Sequence, residues 1–400
     1  MKILQVNTIH ERKSTGRTCK ELSDFLWKNG HECYTAYGVG QSTDEHSYRI
    51  GNDFDYYMHN ILSRLTGLQG YYSKRATEKF IKYIKVLKPD IIHLRNLHAN
   101  YLNLPVFFDF LKSAGIPVIL NLHDCWIFTG KCAHYTDNKC YKWKTGCENC
   151  LKNVIHQYPQ SCFFDRTKKM FRDKKRWLTS LPEVYVVGVS KWVADQSRES
   201  FLNKFPISHI YNWIDTSVFH PYKDDSIKDE YNIPRDKKVI LGVSAGWTKG
   251  SVRYEDFMKL AAKLSDKYIL VLVGSKGKKV CFSTNVLHIP FVSDTIKLAQ
   301  LFACADVYVH LATEDTFGKV IVEAMACGTP VVAYDSTVYP EIIEESDGYI
   351  VRKGSIRSVL NSIELACLTE HYFNSDNINK FLMLRNCRKI VEIYKECSEC

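Results

Sequence analysis

The stretch Asp306–Ile343, DVYVHLATEDTFGKVIVEAMACGTPVVAYDSTVYPEII, decides the fold. Asp306–Leu311 reads as a strand rich in Val and Tyr, Ala312–Phe317 as a loop, Gly318–Cys327 as a helix closed by Gly328, and Pro330–Tyr334 as a second buried strand. Strand, loop, helix and strand in that order make one unit of a parallel α/β sheet. Within the helix, Val320, Ile321, Val322, Ala324, Met325 and Ala326 surround a lone carboxylate, Glu323. A buried carboxylate is costly unless paired or hydrogen-bonded. A sugar diol would satisfy it; a buried Arg or a water is the bland alternative. Gly318 opens the helix, where free N–H groups and the helix dipole attract phosphate.

The same pattern extends outward in both directions. Lys2–Val6, Cys33–Tyr37, IIHL from Ile91, PVILNL from Pro117 and VYVVGVS from Val184 read as parallel strands, with a helix from Gly16 to Asn29 stopped by Gly30. After a polar stretch, Tyr222–Lys238, read as surface linker, the pattern restarts with VILGVSA from Val239, YILVLVG from Tyr268 and VLHIPF from Val286, and a helix spans Tyr254–Leu264. A chain of 400 residues exceeds the usual single-core limit. Two doubly wound, Rossmann-like α/β domains facing across a cleft are expected, with ligands at the carboxyl ends of the strands.

Composition narrows the setting. The opening MKILQVN alternates like a first strand and carries no signal-peptide core. No run approaches the ~18 apolar residues of a membrane span. The fifteen cysteines then read as reduced thiols, and the expected location is the cytoplasm. The net charge of +10 is concentrated: residues 166–176, RTKKMFRDKKR, carry seven basic side chains, with Met170, Phe171, Trp177, Leu178 and Leu181 at helical spacing. Ser73–Lys88 sets Lys79, Lys82 and Lys85 beside Phe80, Ile81 and Ile84. Each is either a solvated helix face or a contact with the anionic inner face of a membrane.

The opening segment resembles the signature of family 4 retaining glycosyltransferases, in which two acidic residues separated by seven others hold a sugar nucleotide. Here the pair is Asp315 and Glu323, with Glu314 adjacent and Asp where the family usually has Glu. The resemblance implies that Glu323 binds the ribose hydroxyls, while Asp315, Phe317 and Gly318 meet the donor sugar and diphosphate. Ile210–Pro221, IYNWIDTSVFHP, is similar to the family's interdomain motif, with Trp213 in place of Gly. The implied fold is GT-B, with an acceptor-binding domain at 1–210, a donor-binding domain at 211–378, and a terminal segment at 379–400, helical from Asn379 to Lys395, that packs back on the first.

In GVSAGWTKGSVRYEDF, from Gly242, Lys249 matches the family's phosphate-binding lysine. The family's arginine, normally a few residues earlier, is missing, and Arg253 is the candidate replacement. His123, in HDCW at a strand's carboxyl end, takes the family's place beside the reacting sugar. Ser14, Thr15 and Gly16 lead into the first helix as an anion site or a plain N-cap; Ser190 reads as an N-cap, and Glu341 resembles the family's P-E-I without its preceding glycines.

A cysteine-rich insertion at 125–150 is the unexpected element. Cys132, Cys140, Cys147 and Cys150 end in C-x-x-C and suit a structural zinc stapling a loop that lacks its own core; unpaired thiols, a disulfide and an iron–sulfur cluster are the alternatives. No cofactor is required for catalysis. Glycosyl transfer needs cations and N–H donors on the departing diphosphate. The resemblance thus implies retaining transfer of a hexose from a nucleoside diphosphate sugar to a glycan hydroxyl, the acceptor being lipid-linked, in synthesis of bacterial capsule, exopolysaccharide or lipopolysaccharide. A sugar nucleotide epimerase of the same fold is the alternative enzyme. A dehydrogenase lacks its G-x-G-x-x-G, and a basic, Cys-rich nucleic-acid module lacks a recognisable motif, so no nucleic-acid partner is expected.

Overall fold

Continuous apolar runs such as Val118–Leu122, buried at every position, are what a parallel sheet covered on both faces demands. The computed structural model describes residues 1–150, 160–369 and 375–398. It divides into one unit of 1–211 with 386–400 and another of 212–385.

The first unit holds seven parallel strands: β1 (Lys2–Ile9), β2 (Glu32–Val39), β3 (Ser47–Arg49), β4 (Ile91–Leu94), β5 (Val118–Leu122), β6 (Val184–Gly188) and β7 (Ile207–His209). Their order, β3-β2-β1-β4-β5-β6-β7, starts in the middle, winds outward and returns beside the first strand. The order reverses between β1 and β4, where ligands bind in such sheets. The terminal helix Met383–Ser398 lends this unit its residues from Asn386 onward, with Tyr394 Oη 2.5 Å from His93 Nδ1. It starts later than the sequence suggests because Asn379–Phe381 forms a separate 3-10 turn and Leu382 is extended.

The second unit holds β8 (Lys238–Trp247), β9 (Tyr268–Lys276), β10 (Val286–Ile289), β11 (Val307–His310), β12 (Val331–Tyr334) and β13 (Gly348–Val351). Their order is β10-β9-β8-β11-β12-β13, with the reversal between β8 and β11. Ile240, Leu270, Val309 and Val332 from the sheet pack with Phe257, Leu260 and Ile363 from the helices. The stretch read as linker carries structure of its own: Ile227 and Ile233 are buried, and Arg235 clamps Asp225 and Asp229 at 3.0 and 2.8 Å.

Both basic helices spend their apolar faces on the core. Lys74–Leu87 buries Ala76, Thr77, Phe80 and Ile84; Thr167–Thr179 buries Met170, Phe171, Trp177 and Leu178. Most of their lysines form the solvated side of amphipathic helices, whereas Lys174 is buried with the core residues of its helix.

Phe107, fully buried, stacks on Phe80 at 5.8 Å. Phe107→Ala is expected to lower unfolding free energy by about 3–5 kcal/mol, as measured by urea denaturation.

Candidate functional site

In the second unit the loop after β11 is organised by Asp315. Its Oδ1 accepts the backbone N–H of Thr316 at 2.7 Å and that of Phe317 at 3.3 Å, and its own N–H donates to Thr337 Oγ1 at 3.1 Å. Ser336 Oγ donates to the Thr313 carbonyl, tying the loop to the end of β12. Gly318 then turns the chain with φ +72°, and an added Cβ would lie 3.2 Å from Tyr339 Cε1. Only glycine makes this turn cheaply. The helix Lys319–Ala326 starts at Gly318 with no side-chain cap, which leaves its positive end suited to an anion.

Glu323 lies on that helix with 1% of its surface exposed. Arg253, Glu323 and Asp315 all act electrostatically on Tyr308: burial pushes its phenol up, Arg253 pulls it down, and the two carboxylates raise it further. The site therefore gathers two acids and one cation around the end of β11. His310 stands between two phenols, with Tyr308 Oη 2.7 Å from Nδ1 and Tyr339 Oη 3.1 Å from Nε2. Burial, helped by the Arg253 charge, lowers its pKa to about 3, so the ring is neutral.

Arg253 reaches this place from the helix Val252–Ala261, and its Nη1 donates to Ser244 Oγ at 3.0 Å beside a register shift in β8. Lys249 is exposed in the turn that follows β8. Glu314 is half-buried in the Asp315 loop, and Glu341 lies in the single turn Tyr339–Ile342.

In the first unit His123 follows β5 with 8% exposure and lines a small pocket with Arg95, His98, Asp124 and Trp126. Asp124 Oδ2 lies 2.6 Å from His98 Nε2, and Oδ1 accepts the Trp126 N–H at 2.8 Å. Burial works to raise the Asp124 pKa, but the charge and hydrogen bond of His98 outweigh it and hold the carboxyl below its usual range. Arg95, 3% exposed, has all three guanidinium nitrogens buried without a hydrogen-bond partner among the described residues. Neither Arg95 nor His98 was singled out from sequence; their signal is a basic residue and a histidine just after the buried strand IIHL.

Gly16 sits inside the first turn of the helix Lys13–Lys28, with Ser14 and Thr15 also helical and no side-chain cap at its start. Its missing side chain lets the backbone of His10 approach, since a Cβ would lie 3.2 Å from the His10 carbonyl carbon. His10, Glu11 and Asp44 have ligand atoms within 4.8 Å of one another, and His10 Nε2 already pairs with Asp44 Oδ2 at 3.1 Å. Ser190 caps the helix Lys191–Arg198, accepting the Val193 N–H at 3.2 Å. Cys147 is buried, Cys132, Cys140 and Cys150 are half-buried, and none is in a disulfide.

Comparison with known proteins fits this geometry. Residues 15–218 match the model described as Glycosyltransferase Family 4, and residues 223–377 match Glycosyl transferases group 1. The chain belongs to glycosyltransferase family 4. These matches favour the transferase reading over the epimerase and nucleic-acid ones.

Among curated relatives of this family 4 chain, N-acetyl-alpha-D-glucosaminyl L-malate synthase of Bacillus anthracis is 28% identical over 44% of this chain and 48% of its own length. The match thus spans about half of that relative. The putative colanic acid biosynthesis glycosyl transferase WcaC of Escherichia coli is 25% identical over 70% of this chain and 67% of its own. In fold, the chain resembles sucrose-phosphate synthase from Thermosynechococcus elongatus, with TM-score 0.71 and 15% identity over 99% of both chains. Anabaena Alr3699/HepE, solved with UDP and glucose, gives TM-score 0.68 and 15% identity over 99% of this chain and 100% of its own. Two Rossmann-like domains of the GT-B type are therefore found as expected.

Asp124→Asn removes the carboxylate that anchors His98. Because its folded pKa is depressed, Asp124 contributes stability above its unfolded pKa of about 4 and loses it as pH falls through the folded value. At pH 7 the variant is expected to be about 1–3 kcal/mol less stable than the parent, and the gap should close toward pH 3 in denaturation curves taken at each pH.

Proposed function

We propose that the protein is a retaining hexosyltransferase that uses a nucleoside diphosphate sugar and extends a lipid-linked bacterial surface glycan. The observation that carries the donor half is the buried Glu323 set behind the uncapped helix start and the Asp315 loop. Glu323 accepts hydrogen bonds from both hydroxyls of the donor ribose. The diphosphate meets the helix start at Gly318, with Arg253 and Lys249 supplying positive charge. Asp315 holds the loop amides in place and presents its second oxygen to the sugar hydroxyls.

In the reaction the C1–O bond to the diphosphate breaks while the acceptor oxygen bonds C1 from the same face. The departing phosphate oxygen takes the acceptor's proton, and the cations stabilise the charge it gains. His123 orients hydroxyls of the sugar in this reading, as the family resemblance implies. The names of relatives support the substrate class: HepE is titled in complex with UDP-glucose, and WcaC is named for colanic acid biosynthesis.

The lipid end of the acceptor points to a membrane, and the first unit offers a surface for one. The helix Asp53–Thr66 exposes Phe54 (71%), Tyr57 (62%), Ile61 (51%) and Leu65 (43%) along one face. Exposed Phe163 and Phe164 adjoin it, joined through the Cys162 N–H to the Arg64 carbonyl at 2.7 Å, and Arg166 stands over the Phe164 ring at 5.3 Å. An apolar stripe with arginines at its edge suits anionic headgroups. No described helix is long and apolar enough to cross a membrane.

Arg253→Ala is expected to lower kcat about 10²–10³-fold with the fold intact. The readout is acceptor-dependent release of nucleoside diphosphate from UDP-, GDP- and ADP-sugars; an epimerised sugar formed from donor alone would contradict the transferase assignment. The double variant Phe54→Ser, Ile61→Ser is expected to lose at least about tenfold in co-sedimentation with anionic vesicles at unchanged donor affinity, since each exposed aromatic or aliphatic side chain contributes about 1.5–3 kcal/mol on burial. Unchanged vesicle binding would remove the stripe from the account.

A further inference from the structure

The loop that leaves β5 at His123 runs to residue 150 with only the 3-10 turn Lys142–Lys144 as regular structure. Contrary to the expectation from sequence, it has a small core. Phe128, Tyr135 and Trp143 are at most 1% exposed, with the Trp143 ring 5.1 Å from Phe128 and 5.0 Å from Tyr135. This packed base carries the start of the loop, where His123, Asp124 and Trp126 line the small pocket together with Asn121 of β5.

Trp126 is held on three sides. Its backbone N–H donates to Asp124 Oδ1 at 2.8 Å, and its carbonyl accepts from Nζ of Lys174, a buried residue of the helix Thr167–Thr179. The same Nζ lies 3.8 Å from the centre of the Trp126 ring, and the His98 ring stands edge-on to it at 5.9 Å. Lys174 is 1% exposed, so these are not the contacts of a mobile surface side chain.

Two polar atoms of the pocket residues are left over. Trp126 is 1% exposed, and its indole Nε1–H has no acceptor among the described residues; Asn121 is 4% exposed, and its Oδ1 has no donor among them. Buried indole N–H and amide groups as a rule find partners, and an unmet one destabilises the fold. Trp143 also buries its Nε1 without a hydrogen-bond acceptor among the described residues, but it stands between aromatic rings and does not line the pocket. One unmet donor and one unmet acceptor match a hydroxyl, which accepts and donates at the same oxygen. They do not match a carboxylate or phosphate, which would meet Asn121 Oδ1 and the Asp124 carboxylate with lone pairs of its own.

We propose that the Trp126 indole N–H and Asn121 Oδ1 bind hydroxyls of a sugar in the pocket beside His123. The proposal rests on the reading of His123 as a residue that faces sugar. A ring clamped at its backbone and its face is a preorganised donor, and little freedom is lost when the sugar arrives. The hydroxyl belongs either to the hexose being transferred or to the acceptor sugar, and the chemistry of recognition is the same.

The test uses the full chain with 15N-labelled tryptophan, whose seven indoles each give one N–H signal. The Trp126 signal is assigned by its loss in Trp126→Phe, or on the parent protein where that variant does not fold. It should move downfield on saturation with UDP-, GDP- or ADP-glucose, whichever binds by calorimetry, and stay in place with the matching bare nucleotide. Movement with the methyl hexosides of glucose, galactose or mannose instead would place the hydroxyl on the acceptor. The Trp143 signal should not respond to either. Trp126→Phe and Asn121→Ala should each weaken the sugar that moves the signal about three- to tenfold, with affinity for the bare nucleotide unchanged. A Trp126 signal that stays fixed while a nucleotide sugar binds and the hexosides are in excess would overturn the proposal and leave the transferase reading standing. So would a signal that moves equally with bare nucleotide or inorganic phosphate. If no nucleotide sugar and no hexoside binds at all, both fall together.

Discussion

A carboxylate inside an apolar helix is the constraint around which the second unit is built. Glu323 is 1% exposed on a helix packed against β11 and β12, and burial of a carboxylate is costly unless hydrogen bonds meet it. The loop ahead of the helix meets the demand. Asp315 holds the Thr316 and Phe317 amides, Gly318 makes a left-handed turn no other residue makes cheaply, and the helix begins uncapped. Acid, amide and helix end are thereby aligned at the carboxyl edge of β11, beside the point where the strand order reverses.

Cations complete the balance. Arg253 anchors on Ser244 and acts on Tyr308 and His310 together with Asp315, which sets a guanidinium among acids in the same buried neighbourhood. The neutral His310, fixed between two phenols, braces β11 against the helix turn that holds Tyr339 without adding charge. The first unit repeats the logic with different residues: His98 hydrogen-bonds with Asp124 at the ends of β4 and β5, next to His123.

What could be read before the structure followed local rules. Runs such as VILNL and VYVH are parallel-sheet strands because every side chain is buried, and the helix after Gly318 begins and ends within a residue of its expected span. That Arg253 reaches Ser244 was not legible, because it comes from a helix while the strand end itself offers Ser, Ala and Gly. For the basic helices the sequence left two readings open. Their apolar faces are real, but amphipathicity does not say which surface a helix covers, and Phe80 and Trp177 went into the core. The exposed stripe from Phe54 to Leu65 escaped notice because its apolar residues sit among polar ones of ordinary density. The Cys loop's aromatic nucleus was hidden too, since Phe128, Tyr135 and Trp143 share no period and meet only through tertiary packing.

Under the proposed function Glu323 is held for a ribose. Calorimetric titration of the parent and of Glu323→Gln with UDP, GDP or ADP, whichever binds, and with the matching 2′,3′-dideoxy nucleotide tests it most directly. A hydrogen bond to a charged group contributes about 1.5–3 kcal/mol, so the parent should bind the dideoxy form about 10–100-fold more weakly, and Glu323→Gln should distinguish the two far less. A Glu323→Gln protein that discriminates as strongly as the parent would contradict the account.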